Sequence, residues 1–344
     1  MLDEIITAAI LLAFIYVILS KSKFATESEH LFTKEYSTVL KGICCIVVVL
    51  VHIPADHSSK LQDTVGSFAY VAVTIFFLLS GYGLGVSRKK EGYLDNFWKS
   101  RIPALLIPMI IVNVVSLITN YICDNDISHL RTLLNINGFT LMLGLCYIAF
   151  YFTYRVKGLN DDIKRIIACI FIVGISLLTY VFEEKIPFTV WPVPCLGFIY
   201  GLVIDDFKDL IILKLNKHRL VDIQSAVLFL ASIIAGGGYL KTKTIVFWGD
   251  YVIRALLAVL LIALLIKITS KIELGNCMLN TLGVISYEIY LSHGIVMGVL
   301  DSFFPNLRPG FYIAATLAGT IVVAFGVNKI DKALIVKART ILIK

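Results

Sequence analysis

Stretches of about 20 mainly apolar residues, each long enough to cross roughly 30 Å of hydrocarbon, follow one another from one end of this sequence to the other. One water-soluble core could not hide so much apolar surface, since 58% of the 344 residues are hydrophobic and only 16% are charged. The bilayer is the natural solvent for the excess, and the chain reads as an all-α, polytopic integral membrane bundle.

Eleven transmembrane helices are expected, at residues 3–20, 39–54, 66–87, 102–123, 134–154, 165–182, 188–205, 221–240, 246–267, 277–300 and 309–329. The first segment opens with Asp3 and Glu4, lacks a basic start and a small-residue cleavage site, and so reads as a membrane anchor rather than a signal peptide. Loop charge tests the count. With the amino terminus outside, 24 of the 31 Lys and Arg residues fall on inner segments, from Lys21 and Lys23 through Arg88 to Arg101 and on to Lys329, Arg339 and Lys344. Such a bias sets the orientation of a multi-pass protein of the cell membrane, with the carboxyl terminus cytoplasmic. The same bias explains the net charge of +7, so no nucleic-acid partner is read from it. The most polar outer loop holds Asp124, Asn125, Asp126, His129 and Arg131. The seven cysteines are scattered through apolar stretches without C-x-x-C spacing, as expected of small buried side chains.

Ionisable groups within a span are costly and therefore candidates for function. His52 follows Lys41 after ten uncharged residues. Eleven helical steps return to nearly the same face, about 16 Å further along the axis, so a cation at one edge of the membrane and an imidazole deeper in it share one side of a helix. A snorkelling lysine and a boundary histidine bonded to a loop would present the same spacing. His52 and His57 have no third ligand nearby, and no metal site is expected. Asp250 and Arg254 stand at i,i+4 and are expected to form a structural ion pair.

From Lys41 onward the sequence resembles acyltransferase family 3, the membrane enzymes that O-acetylate polysaccharides, lipopolysaccharide and peptidoglycan. Lys41 to His52 is similar to the family's arginine, ten residues and histidine, with lysine in first place. Ile75-Phe76-Phe77-Leu78-Leu79-Ser80-Gly81-Tyr82 resembles its Phe-Phe-x-x-Ser-Gly-Tyr/Phe run, and Phe97 to Pro103 its basic loop ending in Arg-x-Pro. Gly283 to His293 is similar to its late Gly-x-x-Ser-Tyr-x-x-Tyr-Leu-x-His block. The resemblance implies a ten-helix core entered from the cytoplasm, which agrees with the loop charges. It divides the chain into an extra helix and connector at 1–38, an acyltransferase core at 39–330 and a cytoplasmic tail at 331–344.

The implied reaction takes an acyl group, acetyl expected, from cytoplasmic acetyl-CoA to a sugar hydroxyl of a cell-surface or lipid-linked glycan. A sugar hydroxyl is a poor nucleophile at neutral pH, so a base must take its proton; His52 has that role, with Lys41 and His293 as its companions in catalysis. His293 could bind the acceptor, orient His52 or carry a second proton. Coenzyme A brings phosphates, for which Lys99, Arg101 and Arg88 are the candidate cations. Ser80 and Gly81 would let a narrow ligand pass close to the backbone, and helix packing is the equally ordinary reason for small residues there. Tyr290 and Glu288 are the residues expected on the substrate side, Glu288 being the intramembrane carboxylate of that helix although five residues separate it from His293. The Trp and Glu that many relatives carry on the mid-chain helix are absent from Leu143 to Tyr151. A glycan-precursor transporter or flippase is the alternative. It would be expected to show Gly- or Pro-broken helices paired between two halves, whereas Pro187, Pro192 and Pro194 interrupt a single segment.

Overall fold

The computed structural model describes residues 2–124, 133, 135–186, 189–217 and 219–343. Asn125, Asp126, His129, Arg131, Pro187 and Lys344 lie outside the described residues. The chain is a bundle of helices: α1 (Leu2–Leu19), α2 (Lys34–Val51), α3 (Lys60–Gly66), α4 (Ala69–Arg88), α5 (Phe97–Asp124), α6 (Gly138–Arg155), α7 (Asp161–Val181), α8 (Gly197–Lys217), α9 (Ile223–Thr242), α10 (Arg254–Thr269), α11 (Cys277–Val284), α12 (Ser286–Phe303) and α13 (Pro309–Ile343). Two short strands, β1 (Lys23–Phe24) and β2 (Ile272–Glu273), pair antiparallel and tie the connector after α1 to the loop before α11.

Seven helices among the described residues are long and apolar enough to cross a membrane, or eight if the bent pair α11–α12 counts as one span. The other three expected spans form α2, α6 and α8. Charges within α2 and α8 and the tyrosines and threonines of α6 lower their apolar character; α2 and α6 bury more than half of their residues, and α8 is buried between Gly197 and Asp205. Burial follows this division. The apolar window of α3–α4 is 78% buried, against 6% for α1 and 17% for α7 and α9. Exposed side chains such as Leu12, Phe171 and Ile234 on those rim helices meet acyl chains rather than water.

Small residues set the tightest packing. A Cβ at Gly81 would run into the Phe198 carbonyl of α8, and one at Gly201 into the Leu78 carbonyl of α4. The two backbones touch, as small residues permit in membrane helix pairs. Gly42 does the same for α2 against Leu279 of α11.

Three features depart from the expected helices. The segment 277–300 is two helices meeting at 75°, and at the break the Ser286 hydroxyl donates to the Gly283 carbonyl. A side chain that takes a ladder carbonyl is a recognised cause of a kink. The last helix continues to Ile343, so residues 331–343 of the expected tail are helical. The expected pair of Asp250 and Arg254 does not form its i,i+4 contact, because Trp248–Ile253 is a π-helical turn with a wider repeat. Asp250 accepts from the Tyr180 hydroxyl at 2.9 and 3.0 Å, while the Arg254 guanidinium lies 4.5 Å from the centre of the Tyr70 ring.

Candidate active site

His52 ends α2 rather than lying within it. Pro54, two residues on, disfavours helical geometry in the residue before it, and the His52 backbone N–H donates to the Val49 carbonyl at 3.1 Å. Its side chain turns back along the helix, with Nδ1 at 2.8 Å from the Val48 carbonyl. A carbonyl only accepts, so Nδ1 carries the hydrogen and Nε2 of the neutral ring holds a lone pair. The helix end thus satisfies one of its orphan carbonyls and at the same time fixes the tautomer that a base requires. The His293 ring of α12 lies 4.6 Å from that of His52, and the indole of Trp191 meets it edge-on at 6.3 Å.

Lys41 and His52 face two neighbouring cavities. One, of about 240 Å³, is lined by Lys41, Ser80, Tyr147, Ser286, Tyr287 and Tyr290 among others. The second, of about 290 Å³, includes His52, His293, Trp191, Asn137, Gly294 and again Tyr290. Tyr290 therefore forms a wall common to both. Its hydroxyl donates to Asn137 Oδ1 at 2.9 Å, and its ring lies 4.9 Å from Phe139, which lines the first cavity. The kink at Ser286 starts the helix that carries Tyr287, Tyr290 and His293 to this boundary.

The cations near the first cavity fall into two groups. Arg88 is ion-paired with Asp161 and, at 2.9 Å, with Asp206, and stacks over Tyr154; Lys89 pairs with Asp205 at 2.9 Å. These charges are already neutralised by carboxylates. Among the described residues Lys41 has no such partner, and the charged groups that act on it are Arg101 and Lys34, both cations. Arg101 donates to the Tyr93 hydroxyl at 2.6 Å and lies 5.8 Å from the centre of the Tyr147 ring, with its Nε buried and unbonded. Lys99, two residues before it on α5, is exposed and lines neither cavity. Arg339, from the far end of α13, donates to the Ser100 carbonyl at 3.0 Å, and its Nε is also unbonded. Among the described residues Lys41 and Arg101 thus stand together with no carboxylate paired to them, an arrangement that suits an anion.

The acyltransferase domain of family 3 matches residues 34–328, beginning at the first residue of α2. The chain belongs to that family. No characterised protein and no solved structure matches it. This membrane acyltransferase thus places the two ends of its first motif, Lys41 and His52, on adjoining cavities, and the last residue of its late motif, His293, against His52.

Other expected residues of the acyltransferase lie elsewhere. Ser80 reaches the first cavity with its hydroxyl bonded to the Phe76 carbonyl at 2.9 Å, whereas Gly81 faces α8. Glu288 lines neither cavity: it turns to α13, where Asn328 donates to its Oε1 at 2.9 Å and Asp331 lies beside it. Sequence reasoning did not find Asn137, Tyr147, Trp191 or Arg339. Asn137 had a readable local signal as the N-cap of α6, its side chain accepting from Phe139 N–H. The other three come into place through tertiary packing alone.

Replacing Arg88 with glutamine is expected to lower stability, by breaking its ion pair with Asp161 and leaving Asp206 with Arg165 alone, while the KM for acyl-CoA stays within about twofold of wild type. Thermal unfolding and donor kinetics on the solubilised protein check both parts. A loss of donor affinity at unchanged stability would place Arg88 in the donor site after all.

Proposed function

We propose that this acyltransferase, oriented in the plasma membrane with its basic end and carboxyl terminus in the cytoplasm and its amino terminus outside, transfers an acetyl group from acetyl-CoA to a sugar hydroxyl of a cell-surface or lipid-linked glycan. The observation that carries the reading is His52, whose Nδ1–H is occupied by Val48 and whose Nε2 is left as the basic nitrogen in a cavity. Lys41, Arg101, Lys99 and Arg339 supply the positive charge that the donor's phosphates require. The acceptor occupies the cavity at the His52 end, and the acyl group reaches it past the Tyr290 ring.

In this scheme the hydroxyl oxygen attacks the thioester carbonyl carbon as Nε2 of His52 takes the hydroxyl proton. The C–S bond then breaks, and the imidazolium returns the proton to the departing thiolate, giving ester and free CoA. His293, packed against the His52 ring, holds that ring in position. Charge repulsion between Lys41 and its cationic neighbours is relieved when an anion binds, so Lys41→Gln is expected to raise the KM for acetyl-CoA about tenfold with a smaller effect on kcat. The general test uses the purified full chain with labelled acetyl-CoA and a panel of sugars. Acetylated sugar and stoichiometric free CoA are expected; binding or movement of a glycan without CoA release would support a carrier instead.

A further inference from the structure

A third cavity, of about 340 Å³, lies between α5 and α12 and shares Gly294 with the cavity that contains His52 and His293. Its lining is mixed: Ser116 and Asn120 from one face of α5 and Asp301 and Ser302 from α12 bring polar groups beside Ile295 and Val299, with Gly294 and Gly298 between them. Ser116 and Asn120 are one helical turn apart, as are Gly294 and Gly298, and Asp301 follows three residues later. Two helices therefore turn matching stripes toward each other, and the stripe on α12 has no side chains at its centre. A Cβ at Gly294 or Gly298 would meet nothing within 4 Å, so these glycines keep the space open rather than bring helices together.

The polar groups are set for a ligand with several hydroxyls. Asp301 is held by the Tyr312 hydroxyl, which donates to Oδ1 at 2.8 Å, and the His57 ring lies close by, with Nε2 3.6 Å from the same oxygen. Oδ2 is left to accept from elsewhere. His57 is itself held by a stacked Tyr312 ring at 4.0 Å and by the Leu307 carbonyl at 3.0 Å from Nδ1. Asn120 makes no hydrogen bond to any described residue. Its amide offers both a donor and an acceptor. Asp301 keeps 47% of its side chain accessible and Asn120 is half-buried, so both can be reached by a ligand that enters the cleft.

We propose that this cleft binds the sugar acceptor, holding the ring and its neighbouring glycan next to Gly294 so that one hydroxyl enters the cavity of His52. The assignment rests on the reading of the protein as a sugar acyltransferase and adds where the acceptor lies and which residues choose it. Asp301 Oδ2 accepts from two sugar hydroxyls or one, Asn120 bonds a further hydroxyl or ring substituent, and Gly298 leaves room for the ring.

The test uses the full chain with labelled acetyl-CoA and the methyl glycosides of glucose, galactose and N-acetylglucosamine, comparing wild type with Gly298→Leu and Asn120→Leu. Gly298→Leu fills the cleft from a position where the added side chain has room, and Asn120→Leu removes an amide with no hydrogen-bond partner among the described residues. Each is expected to raise the acceptor KM about tenfold or more while the acetyl-CoA KM stays within about twofold. Unchanged acceptor KM in both variants, with wild type active, overturns the cleft and leaves the acyltransferase reading standing; equal shifts in both KM values also overturn it. Failure of the wild type to acetylate any of the glycosides overturns the sugar acyltransferase reading itself.

Discussion

His52→Ala is expected to lower the rate of acyl transfer by about 10²- to 10⁴-fold, the usual contribution of a positioned general base, while the protein is still made, inserted and folded. The structure explains why the two effects separate. His52 sits at the end of α2, half-buried, and its side chain contributes one bond to a terminal carbonyl, Val48 O. Loss of that bond leaves a carbonyl beside a cavity and costs about 1 kcal/mol, too little to unfold a bundle of this size. Product formation measured by CoA release, together with size-exclusion behaviour in detergent, checks both halves. His52→Gln is a useful companion, since its amide can still donate to Val48 but cannot serve as a base near neutral pH, and it is expected to be as inactive as the alanine variant.

Gly81→Val is expected to have the opposite profile, abolishing the folded protein rather than one step of the reaction. The new Cβ would meet the carbonyl of Phe198, and backbone cannot move aside as a flexible side chain can. Overpacking of this kind costs about 1–3 kcal/mol when the surroundings relax, and more when they do not. The pair α4–α8 is fixed from both sides, with Gly201 facing the Leu78 carbonyl. Yield and thermal stability after solubilisation are the measurements. A folded Gly81→Val protein with weakened acetyl-CoA binding would return Gly81 to the donor site.

Much of this architecture could be read from the order of residues. The apolar runs gave helices, since a run long enough to span hydrocarbon has few other ways to satisfy its backbone. The spacing of Lys41 and His52 placed them on one side of α2, and the structure sets both on cavities that meet at Tyr290. What stayed hidden depends on partners distant in sequence. Arg88 looks like any other basic residue of its loop until α7 and α8 bring Asp161 and Asp206 to it. Arg339 lies beyond the last expected span, and only the continuation of α13 carries it to Ser100. The kink at Ser286 depends on a hydroxyl choosing a backbone acceptor, a choice that composition does not encode. The helix face that Lys41 and His52 share opens onto two cavities rather than one, divided by the Tyr290 ring of the helix that starts at that kink.

The central claim is that donor and acceptor enter from opposite ends and meet at His52. Sealed inside-out membrane vesicles containing the full chain, given labelled acetyl-CoA outside and a membrane-impermeant glycoside inside, test it most directly. Label on the enclosed sugar, absent with His52→Ala, is the predicted result. Label confined to a glycoside supplied on the same side as acetyl-CoA would contradict it.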